Sequence, residues 1–197
     1  SKNVSLIERK RIWRREIYLS SIAVAVFLVV LGSASRLLPH TPNFTPVTAI
    51  ALFASAYLGL RYSLPVLFTV MLATDAIIGF YSWQIMLSVY GSFALSSLIG
   101  FYIQKHKRVA TVFFGAIGSS ILFFLITNWA VWQFGALYPH SSAGLMQSYL
   151  MAIPFFKNSL AGDILYTGLL FGVFELSWYL AARGVSKKAI LPAYQQS

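Results

Sequence analysis

Residues 109–134 read VATVFFGAIGSSILFFLITNWAVWQF, a run without a single charged side chain. A helix over this run is about 39 Å long at 1.5 Å per residue, more than the roughly 30 Å of bilayer hydrocarbon. The rest of the chain has the same character. Apolar residues make up 58% of its 197 residues and charged residues 10%, with a mean hydropathy of +0.71. A soluble domain of this size carries about 25% charged residues. The sequence therefore reads as one all-α polytopic membrane domain, with no soluble module attached.

Working outward from 109–134, apolar runs at 17–38, 46–60, 63–80, 85–104 and 158–182 bring the candidate spans to six. The second and third are split only by Gly59-Leu60-Arg61-Tyr62, which suggests a tight helical hairpin or a partly re-entrant pair. The stretch 141–155 is apolar but short and is closed by Pro154, so an interfacial helix is expected there. The first run follows a basic stretch as a secretory signal would. It is about 20 residues long and lacks a clean cleavage site, so an uncleaved first helix is expected. Residues 1–16 then form a basic head, 17–182 the membrane domain and 183–197 a tail.

Charge sets the orientation. The formal net charge is +10. Of 15 basic residues, all but Arg36 and Lys157 fall on one side of a six-span topology: Lys2, Arg9, Lys10, Arg11, Arg14 and Arg15 before the first helix, Arg61, Lys105, Lys107 and Arg108 in the turns, and Arg183, Lys187 and Lys188 after the last. Basic residues mark the cytoplasmic side, so both termini are expected there. The basic head then anchors the chain at anionic lipid, and no nucleic-acid partner is expected.

This orientation places Pro39-His40-Thr41-Pro42-Asn43-Phe44-Thr45-Pro46 on the outer face, with the long connection 135–157 and its Tyr138-Pro139-His140. Proline fixes the backbone of the octapeptide and removes amide donors that would be hard to satisfy near lipid. Pro46 suits the start of a helix.

Three of the five acidic residues, Asp75, Asp163 and Glu175, fall within spans, where ionisable groups are costly and usually paired or functional. Asp75 is roughly 20 Å along the third helix and Asp163 about 8 Å below the outer end of the sixth. Arg36, Asn128, Trp129, Trp132 and Gln133 reach the outer ends of their helices. A polar outward-facing pocket built from Arg36, Asp75, Asn128, Trp129 and Asp163 is expected. The competing reading is that Arg36 pairs with Asp75 or Asp163 only to hold the bundle together. Trp129 and Trp132 also suit an interfacial aromatic belt.

Small residues recur at helical spacing: Ala51, Ser55 and Gly59, then Ser88, Ser92, Ser96 and Gly100, then Gly168 and Gly172. Such stripes allow close helix approach, within the bundle or onto a partner subunit. The chain has no cysteine, which removes disulfides and thiolate metal sites. None of the three histidines lies inside a span, and His40 with His140 makes a poor metal site. No hydrolase, nucleotide-binding or zinc-protease motif appears, and Ser92 and Ser96 lack a visible base. The chain is expected not to be an enzyme.

The run RLLPHTPNFTPVTAIALFASAYLG followed by ATDAIIGF resembles an uncharacterised bacterial integral-membrane family with a signature near PHxPNFTPVxAxALF. That family is in turn similar to the S components of energy-coupling factor vitamin transporters. The resemblance implies a six-helix subunit of the bacterial cytoplasmic membrane. It would bind a vitamin or related micronutrient under its outer loops and dock on a coupling subunit driven by two ATPases. Asn43, Phe44 and Thr45 would then cap the pocket, and Asp75, Asn128, Trp129 and Asp163 would line it. The AxxxA docking motif usual on the first helix is matched only loosely, by Ser21 and Ala25. A non-catalytic accessory subunit of a respiratory or photosynthetic complex is the alternative, and a lipid-modifying membrane enzyme a third. The sequence names neither the ligand nor a cofactor.

Overall fold

The computed structural model describes the backbone of residues 6–194 and the side chains of residues 20–180. Within them the chain forms helices α1 (Leu6–Leu37), α2 (Val47–Leu58), α3 (Leu60–Ile78), α4 (Trp83–Lys105), α5 (Val109–Phe134) and α6 (Ser142–Tyr194). No strand occurs among the described residues. The basic side chains of the head and of the tail lie outside the described residues. Five of the helices are long and apolar enough to cross a membrane. Their outer faces carry the large apolar side chains that a soluble protein would bury, including Phe114, Leu169 and Val173. The protein is a multi-pass membrane protein.

α2 departs from the expectation of a span over 46–60. It has 12 residues, about 18 Å of helix, too short to cross the hydrocarbon by itself without the segment 39–46 that leads into it. Ten of the 12 are buried, because α2 stands at the centre and touches every other helix. Small side chains permit this. A methyl group added at Gly100 of α4 would lie 2.5 Å from the Leu52 carbonyl oxygen, so the two backbones are already in contact. Ser63 of α3 donates to the Ala51 carbonyl at 3.0 Å and exchanges a hydrogen bond with Ser97 at 2.8 Å. The core of this region is Leu28, Ile50, Leu52, Phe53, Val66 and Ile103. Gly59, at φ 83°, makes the turn from α2 to α3, a backbone conformation that favours a residue without Cβ.

α6 departs from expectation in the opposite direction. The segment 141–155 is not a separate interfacial helix. It is the start of a 53-residue α6 that continues through Pro154. Proline costs one helical hydrogen bond, and packing on α5 holds both sides of it. Tyr149 donates to the Leu125 carbonyl at 2.9 Å, and the Phe156 and Phe124 rings lie 4.7 Å apart. The α5–α6 connection is therefore only 135–141, tied by the Trp132 indole N–H to the Pro139 carbonyl at 2.9 Å. Asp163 lies about 32 Å from the start of its helix, not 8 Å.

The alternation of the helices puts the turns 38–46, 79–82 and 135–141 on one side of the bundle. Gly59 and the basic segment 106–108 lie at the other.

Candidate functional site

The segment 39–46 descends into the bundle. Pro39 to Asn43 are exposed, Phe44 and Thr45 are half-buried, and Pro46 is buried. Asn43 takes a positive φ of 61°, tolerable for asparagine, and the Phe44 amide closes the turn on the Thr41 carbonyl at 3.0 Å. α6 holds the descent. Asn158 donates to the Pro42 carbonyl at 3.1 Å, and the Phe44 ring packs on Tyr166 at 5.5 Å. A Cβ at Gly162 would meet Phe44 at 3.3 Å, so glycine there makes room for the ring.

Because the segment descends, α2 begins deep in the bundle and not at its surface. Ile50 is the first amide bonded back along the helix, to the Pro46 carbonyl at 2.8 Å. The Val47, Thr48 and Ala49 amides precede that ladder, and α2 has no side-chain cap. They form the positive end of the helix dipole.

Above this helix end lies a cavity of about 260 Å³. Its lining includes Thr48 and the buried carboxylate of Asp163, which accepts from the Ser120 hydroxyl at 2.5 Å. Phe93 of α4 and Phe123 of α5, with centroids 5.0 Å apart, form an aromatic wall. His40, Asn43, Thr45 and Tyr81 from the loops, Arg36 from α1 and Ser159 from α6 complete the lining. Burial first, then the Asp75 carboxylate, push the Tyr81 phenol up to about 12, while Arg36 pulls the other way. At neutral pH it is an uncharged hydroxyl.

Asp75 stands behind Arg36 and does not line the cavity. It is 1% exposed, pairs with the Arg36 guanidinium and accepts from the Tyr90 hydroxyl at 2.7 Å. Arg36 also contacts the Met71 sulfur at 2.6 Å, and its buried Nε has no partner. The pair fixes the guanidinium at the cavity wall. Pairing in the bundle and presentation to the cavity, the two readings of Arg36, thus meet in one side chain.

Asn128 and Trp129 are not brought to the cavity. The Asn128 amide donates to the Phe124 carbonyl of its own helix at 2.8 Å. Trp129 is 44% exposed and packs edge-on against Phe134. It lies about two and a half turns beyond Ser120, hence on the opposite face of α5. Phe44 supports the descending segment against α6. Ala51 and Ser55 are fully buried inside the chain and offer no surface to a partner. Gly59 is a turn, and Gly168 and Gly172 face outward. Thr48, Ser120, Tyr81, Phe93, Phe123 and Ser159 were not singled out from sequence. The only signal for Thr48 is its place just after Pro46.

Among the described residues no group of three or more His, Asp or Glu side chains could hold a metal ion. No curated protein and no solved structure matches the chain. A family model described as a family of unknown function, DUF6580, matches residues 17–185, and the chain belongs to that family.

Proposed function

We propose that this protein is the small-molecule-binding subunit of a membrane importer, in the manner of a vitamin-transporter S component. The supporting observation is the cavity beneath the descending 39–46 segment, which joins a buried carboxylate, a helix start and an aromatic wall. A buried acid at such a place is a functional candidate by default. Asp163 accepts a hydrogen bond from a ligand N–H, and Phe93 and Phe123 take a flat apolar part of the same molecule. At about 260 Å³ the cavity lies just below the usual pocket range of about 300–1,000 Å³, which restricts the ligand to a compact one. In this reading the cavity opens outward, both termini are cytoplasmic, and the membrane is a bacterial cytoplasmic membrane. A coupling subunit with ATPases energises release. Purification in mild detergent followed by mass spectrometry tests the reading. It requires one small molecule retained near one per chain. A stable multi-subunit assembly with no ATPase and no retained compound refutes it.

A further inference from the structure

α5 and α6 are in contact toward the loop end, through Leu125 with Tyr149, Phe124 with Phe156 and Ser120 with Asp163, and a groove lies between them toward the basic end. The groove has a volume of about 810 Å³ and an apolar lining that includes Val112, Phe113 and Phe171. Gly168 and Gly172 lie along it, and a Cβ at either would meet nothing within 4 Å. This small-residue pair therefore faces open space and not a helix of its own chain. Thr167 also lines the groove, and its buried hydroxyl has no partner.

The mouth is basic. Lys107 and Arg108 border it, with the Lys107 ammonium 3.8 Å from the Tyr57 ring centroid. α5 starts here, its first ladder bond running from the Val112 amide to the Arg108 carbonyl at 3.0 Å, so three preceding amides add positive potential. The acid at this mouth, Glu175, accepts from the Tyr57 hydroxyl.

We infer that the α5–α6 groove binds an anionic phospholipid, with an acyl chain along Gly168 and Gly172 and the phosphate at Lys107 and Arg108. The match is one of charge and depth. Lys107 and Arg108 lie between two spanning helices, at the level of the head groups, while the walls below them are hydrocarbon-like. A cationic mouth on an apolar slot selects an amphiphile with an anionic head over a zwitterionic one. This site is separate from the Asp163 cavity and does not depend on the transport reading.

Native mass spectrometry of the full chain tests it, with phosphatidylglycerol and phosphatidylcholine of identical acyl chains as probes. One phosphatidylglycerol is expected to bind in preference to phosphatidylcholine. A variant carrying Lys107→Gln and Arg108→Gln is expected to lose that preference by about thirtyfold, from two cations near the surface. Gly172→Leu is expected to abolish binding of both lipids, and Gly168→Leu serves the same purpose should the first variant fail to accumulate. Equal binding of the two lipids by the unaltered chain overturns the inference. So does an unchanged preference without the two cations, or full lipid binding by a groove-filling variant. A stoichiometric membrane subunit that Gly172→Leu releases also overturns it, because the groove is then a helix-docking site.

Discussion

Replacing Gly100 with alanine adds one methyl group at the closest approach of α4 to α2. The new Cβ would lie 2.5 Å from the Leu52 carbonyl oxygen, 2.9 Å from the Leu52 Cα and 2.9 Å from the Ser55 Cβ. Ordinary contact begins at 3.4 Å, so α2 must move by roughly 1 Å, and two of the three obstacles are backbone that cannot rotate away. α2 touches every other helix, and its displacement disturbs the whole core. Overpacking of this kind costs about 1–3 kcal/mol. Gly91→Ala is the control. It lies in the same helix, nothing is within 4 Å of its Cβ position, and alanine gains up to about 1 kcal/mol in helix propensity. The two variants are thus expected to differ by about 2 kcal/mol, roughly thirtyfold in the unfolding equilibrium. Denaturation of the purified protein in mixed micelles, titrated with a denaturing detergent, reads that difference. Equal stability of Gly100→Ala and Gly91→Ala would show that α2 and α4 are not in backbone contact.

Further expectations concern the ion pair, the α5–α6 turn and the orientation. Asp75→Asn strands the Arg36 guanidinium and is expected to cost about 3 kcal/mol, much of it recovered when Arg36→Gln is added; a double-mutant cycle of unfolding free energies checks this. A Cβ at Gly144 would meet the Pro139 carbonyl oxygen at 1.9 Å, so Gly144→Ala is expected to open the α5–α6 turn. The accompanying loss is about 2 kcal/mol, seen as a lowered thermal midpoint in detergent. Single cysteines are clean probes in this cysteine-free chain. Thr41→Cys is expected to react with an impermeant maleimide in intact cells and His106→Cys only after permeabilisation; the reverse pattern refutes the orientation.

The membrane class was legible because composition alone excludes a soluble core, and 109–134 was legible to the residue because no other element suits such a run. α2 was not. A short apolar run fits a buried core helix as well as a span, and what separates the two is the ring of neighbours that buries Leu52 and Ser55. Pro154 misled in the other direction. Proline is a local break signal, whereas the contacts of Tyr149 and Phe156 that carry the helix past it come from α5. At the cavity, rise per residue gives depth but not azimuth. Depth grouped Arg36 with Asp75, which are in contact, and grouped Trp129 with them as well, although it faces away. Thr48 and Ser120 are ordinary small polar residues until the descending segment and α6 bring Asp163 between them.

Ligand binding at Asp163 is decided by comparing small molecules extracted from three purified proteins: the unaltered chain, Asp163→Asn, and Phe114→Ala as a control, whose ring is 67% exposed on the outer face. One compound near one per chain is expected in the first and third, and its loss in Asp163→Asn while the protein remains folded. The same compound retained by all three, or none retained by any, would contradict binding at Asp163.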